Sequence, residues 1–162
     1  MAVQVDRSQR LPASEYFPEP QRKSGIAIHH TTCSGTRSTL DAWKKDRTKA
    51  GTVSPVGTAF VVDLDGTIFE AFPPEAWAWQ FGLEWPLSLR TPFEQRFIGI
   101  ELVSEGPLQE HNGALYAHGI FLAPFRKQPE EVLDCGTAYR GYRYFDRYEP
   151  RQLEALGDLV DD

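Results

Sequence analysis

Apolar and polar positions divide the chain into short β-type runs and two helical stretches. GIAIHH, Gly25 to His30, is a compact apolar run ending in two imidazoles, and it reads as a buried strand. TTCSGTRS then turns the chain. Ser38 is placed to cap a helix, with Asp41 three residues on, and Leu40, Trp43 and Ala50 give that helix an apolar face up to Gly51. TAFVVDLDGTIFEAF, Thr58 to Phe72, carries two β-prone runs around Asp65-Gly66, where glycine can take the positive φ of a hairpin turn. Turn prolines and aromatics occupy Pro73 to Gly82. RTPFEQRF then leads into a further strand, Phe97 to Val103, and strand-like stretches lie around Leu115 to Phe121, after an Asn112-Gly113 turn. Near the end, Pro150 suits a first helical turn, and Leu153, Leu156 and Val160 recur on one face. Helical crossovers between such strands make an α/β or α+β domain.

Residues 1–23 hold three prolines and scattered charge, which suits an extended arm lying on a domain that occupies 24–162. Composition narrows the function classes. The formal charge of -6 gives the whole chain no attraction to nucleic acid, and no stretch reaches the roughly 20 apolar residues of a membrane span. The N-terminus has no apolar core of a classical signal peptide, so the protein is expected to be made in the cytoplasm. Two cysteines, Cys33 and Cys135, fall short of a disulfide framework and leave a free pair and a single bridge both open.

Candidate chemistry centres on a few side chains. A neutral imidazole at a strand end can coordinate zinc, and neighbours in a strand point to opposite faces, so only one of His29 and His30 faces a given pocket. The bland alternative has one ring packed and the other at a turn. Glu101 lies inside an apolar strand between Gly99 and Val103, where a carboxylate has to be solvated, paired or functionally tuned. Asp63, Asp65 and Glu70 flank a hairpin turn without the spacing of a calcium loop. Trp77, Trp79, Tyr139, Tyr142, Tyr144, Phe145 and Tyr148 could line a groove or fill a core. His111, His118 and Cys135 match no compact zinc spacing.

IAIHHTT, FVVDLDGTIFEAF, AWQFG and FIGIELVSEG, in that order, resemble the zinc amidase family of N-acetylmuramoyl-L-alanine amidases and peptidoglycan-recognition proteins, over about Gly25 to Val160. The resemblance implies an α/β fold with a mixed central β-sheet flanked by helices, and a groove for the glycan stem peptide. It makes His29 a Zn2+ ligand and Glu101 the catalytic carboxylate, with His30, Trp79 and Gln80 as candidates lining the substrate groove. Thr58-Ala59 stands where the family often has Tyr-His or Ser-His, and Gln80 stands where it has a histidine.

The family's other two ligands come from a segment after the helix that YEPRQLEALGDLV resembles, whereas this sequence stops at Asp162. The resulting expectation is hydrolysis of the N-acetylmuramoyl-L-alanine amide bond of peptidoglycan, at the cell wall, once a further segment or companion polypeptide supplies those ligands. Two alternatives stay open: a non-catalytic peptidoglycan-binding module, and a structural domain of a larger assembly.

Overall fold

The computed structural model describes residues 3–46, 51 and 53–162. Strand β1 (Val5–Asp6) lies in the arm, and β2 (Gly25–His30) follows it. Helix α1 (Thr36–Trp43) crosses over to a hairpin of β3 (Phe60–Val62) and β4 (Ile68–Glu70). Helix α2 (Leu87–Glu94) leads into β5 (Phe97–Leu102). These strands form one five-stranded sheet, ordered β1-β4-β3-β5-β2. It is mixed: β3 and β4 are antiparallel, whereas β1 and β4, β3 and β5, and β5 and β2 run parallel. The expected α/β class with a mixed central sheet is what the chain adopts.

The arm is tied to the sheet by more than β1. Leu11 is buried in the core and its amide donates to the carbonyl of Ala71, while Phe17 exchanges backbone hydrogen bonds with Trp77. Buried Glu70 on β4 accepts from Arg7 and Arg10 of the arm. A charge that the sequence assigns to a hairpin flank is therefore the anchor of the N-terminal segment.

The hairpin turn has the expected glycine, with Gly66 at φ +86°. A Cβ there would sit 2.9 Å from the carbonyl oxygen of Arg151, so the glycine also lets the final helix approach. Helix α1 departs from expectation at its start: it begins at Thr36, two residues before Ser38. Ser38 instead donates its hydroxyl back to the Gly35 carbonyl, and the Thr36 amide is satisfied by Asp63 Oδ2 from the β3–β4 turn. Leu40 and Trp43 are buried as expected, and Ala50 lies outside the described residues.

From Pro107 the chain builds a second sheet, of which the hydrophobic pattern announced only the part around Leu115. Strands β6 (Pro107–His111), β7 (Ala114–Ala117), β8 (Arg126–Lys127), β9 (Val132–Tyr139) and β10 (Tyr142–Asp146) form an antiparallel sheet ordered β8-β7-β6-β10-β9. The run expected to continue to Phe121 stops at Ala117, because His118 and Gly119 take φ +56° and +64° and turn the chain away. Lys127 joins the two sheets: its ammonium lies 2.8 Å from both Glu105, just beyond β5, and Asp146 at the end of β10.

Helix α3 (Pro150–Asp161) starts at the predicted proline, but of the predicted face only Leu156 packs on the core. Leu153 and Val160 are exposed, whereas Gln152 is fully buried and Ala155, Leu156 and Leu159 pack on the core. The spacing 152, 155, 156, 159 is the helical one; a polar residue occupies its first position because Gln152 donates to the carbonyls of Val62 and Val103 at the ends of β3 and β5. Among the described residues no helix is long and apolar enough to cross a membrane.

Candidate functional site

The site is set by register. His29 on β2 pairs with Glu101 on β5, which pairs with Val61 on β3 and through it with Phe69 on β4. Partners across a sheet share a face, so the imidazole and the carboxylate project on the same side. His30 pairs with Leu102 and projects on the other side, where a Cβ on Gly106 would lie 3.1 Å from its ring. The structure thus brings His29 and Glu101 together and separates His30 from them.

Burial sets the chemistry of both groups. Glu101 lies mostly buried in an apolar strand, its Oε2 has no hydrogen-bond partner among the described residues, and the loss of solvation pushes its pKa up to about 7. Such a carboxyl is poised to take or give a proton near neutrality. Burial also pushes the His29 imidazole below its ordinary value, partly offset by a hydrogen bond to Gln80 and the charge of Glu94, with His30 acting in the same direction as burial. His29 is therefore a neutral ring with a lone pair to offer. Tyr148 is half-buried nearby, its phenol raised by burial and then by the charges of Glu101 and Asp146.

Gln80 adjoins His29, with its Oε1 3.3 Å from Nε2 of the ring. Its position depends on a residue that the sequence did not single out: fully buried Glu94 on α2, whose Oε2 accepts from the Gln80 amide at 2.9 Å and the Phe81 amide at 3.3 Å. The spacing Arg90 to Glu94, one helical turn, was the available signal, and those two side chains do pair. Trp79 is engaged elsewhere, with the Arg90 guanidinium over its ring at 4.2 Å and the edges of Phe17 and Trp77 against it. Buried Trp77 stacks on Phe17 and belongs to the packing of the arm.

Tyr139, Tyr142 and Tyr144 are carried by the second sheet, with Tyr139 exposed. His111 stacks on Phe121, and His118 lies 3.7 Å from Glu105, so neither joins His29. Cys33 and Cys135 are both free thiols.

Among the described residues no three His, Cys, Asp or Glu side chains converge as a metal-holding group. One imidazole and one carboxylate are fewer than the three protein ligands of a catalytic zinc, so these residues do not by themselves fit that ion.

The chain is similar in fold to a mutant structure of PlyL (16% identity, 64% of this chain and 59% of that chain, TM-score 0.43) and to a structure of PlyL (17%, 62% and 57%, TM-score 0.42). A mutant endolysin from Bacillus subtilis gives 19% identity over 62% of this chain and 61% of its own, with a TM-score of 0.40. The chain thus spans less than two thirds of the length of each. No curated protein matches it. The family model described as N-acetylmuramoyl-L-alanine amidase matches residues 19–162. Since that match covers most of the sequence, the chain belongs to the N-acetylmuramoyl-L-alanine amidase family.

Proposed function

We propose that the protein takes part in hydrolysis of the amide bond between N-acetylmuramic acid and the first L-alanine of the stem peptide, at the cell wall. The observation that carries this reading is the pair formed by His29 and Glu101, one neutral imidazole and one carboxyl raised to about 7, on a single face of the sheet. Glu101 accepts a proton from the attacking water and returns it to the leaving amine, the role its raised pKa suits. His29 would contribute one ligand to a zinc ion, whose other ligands would have to come from outside these residues, in a further segment or a companion polypeptide. Support for such an addition comes from β2, an edge strand whose Ile26 and Ile28 remain exposed on the face opposite His29.

The test is digestion of purified peptidoglycan by the zinc-supplied protein, alone and in its native assembly, with detection of the released material. Free stem peptides are expected, and Glu101→Gln should suppress them. Release of glycan-strand fragments instead would overturn the amidase assignment.

A second reading is favoured by the short ligand set: a peptidoglycan-binding module without turnover. It predicts saturable muropeptide binding that a chelator leaves unchanged, and no released stem peptide in any assembly.

A further inference from the structure

His29 is held by two groups that belong to this chain, Gln80 and Phe81. Gln80 Oε1 lies 3.3 Å from His29 Nε2, and the Phe81 ring packs against the imidazole at a centroid separation of 5.5 Å. From below, Ala27 and Gly99 pair across β2 and β5 and leave room for the glutamine: a Cβ on Gly99 would stand 2.4 Å from Gln80 Oε1. The Gln80 amide therefore occupies a space that exists only because position 99 has no side chain.

The direction of the hydrogen bond follows from the surroundings of that amide. Gln80 Nε2 reaches the Phe97 carbonyl at 3.5 Å. Flipping the amide would set its oxygen against that carbonyl oxygen, two acceptors face to face, so the oxygen belongs on the His29 side. An amide oxygen only accepts, and the proton must then sit on Nε2 of His29. The other ring nitrogen, Nδ1, keeps its lone pair, since a neutral imidazole carries one proton. The backbone under Gln80 is fixed in turn, because Glu94 accepts from the Gln80 and Phe81 amides while its second oxygen takes the Arg90 guanidinium at 3.2 Å.

We propose that Gln80, anchored through Glu94, is a positioning residue that fixes His29 as the Nε2–H tautomer and leaves Nδ1 as the donor atom of the ring. What Nδ1 meets rests on the amidase reading above; the tautomer itself does not. Position 80 thus carries an amide oxygen that only accepts towards His29, and the amide itself does not titrate.

The experiment is nitrogen-15 NMR of the full chain with labelled histidine, without substrate or added metal. In the unaltered protein His29 should show a protonated Nε2, with a proton that exchanges slowly with water, and an unprotonated Nδ1. Gln80→Met, similar in size but lacking an acceptor, should make that proton exchange about tenfold faster, the effect expected for loss of one hydrogen bond. A protonated Nδ1 in the unaltered protein overturns the proposal, as does an Nε2 proton equally slow in a folded Gln80→Met. If Gln80→Met does not fold, the unaltered protein decides alone: a protonated Nδ1 overturns the proposal, and a protonated Nε2 with an unprotonated Nδ1 upholds it. None of these readouts involves hydrolysis, so failure here and failure of the amidase reading are separate results.

Discussion

Glu101 and His29 stand opposite one another in the parallel register of β5 and β2, and the carboxyl is the more buried of the two chemistries because β3 covers its other flank. One edge strand and one inner strand therefore supply a site whose imidazole is reachable from the open edge, while the Oε2 of its carboxyl has no hydrogen-bond partner among the described residues.

That burial makes stability depend on pH. The folded pKa of Glu101 is about 7 against an ordinary 4.5, so between these values the folded state holds the extra proton. The contribution is fully present below pH 4.5 and is lost as pH rises through about 7. Chemical denaturation of the unaltered protein should show a loss from this source of up to about 3 kcal/mol across that window, and Glu101→Gln should remove it. An equal slope in the variant would assign the effect to other groups.

The two adjacent histidines should separate in function. In a preparation that hydrolyses peptidoglycan, His29→Ala is expected to abolish both turnover and zinc retention, whereas His30→Ala, on the opposite face, should leave both within about twofold. Zinc analysis beside the digestion assay checks this, and matching losses from both changes would refute the division of faces.

Gly99→Ala should be costly for a residue with ordinary extended backbone. Its Cβ would lie 2.6 Å from Thr58 Cγ2 and 2.8 Å from Thr58 Cβ, as well as 2.4 Å from Gln80 Oε1. Overpacking of this kind costs about 1–3 kcal/mol, and urea denaturation should show a loss in that range. A neutral change would mean that the strand and the Gln80 loop move apart freely.

Gln152→Leu keeps the helical pattern and improves its hydrophobicity, yet it should destabilise. The Val103 carbonyl loses its 2.9 Å donor, and the Glu149 amide loses the Gln152 oxygen that caps the start of α3. Leaving such groups unsatisfied costs about 1–3 kcal/mol, measurable by the same denaturation. A more stable variant would show that water replaces both bonds.

What the sequence determined is what local pattern can encode. The strand ending in His29, the Asp65-Gly66 hairpin, the strand bearing Glu101 and the start of the last helix are each specified by side-chain alternation or by a backbone conformation that glycine or proline favours. Alternation alone also separates His29 from His30, since a strand has only two faces. Tertiary structure decided the rest, because those choices depend on partners distant in the chain. Asp63 rather than Ser38 serves the first helix, Glu70 binds arginines of the arm, and Gln152 displaces Leu153 from the buried face because two strand-end carbonyls await a donor there. Glu94 is the clearest instance: its spacing from Arg90 signals at most a helical ion pair, not full burial, and only folding brings the Gln80 and Phe81 amides to it. A single hydrogen bond is worth little in the unfolded chain, where water competes for it; once packing excludes water, leaving that group unpaired is expensive, so distant partners rather than local pattern fix its place.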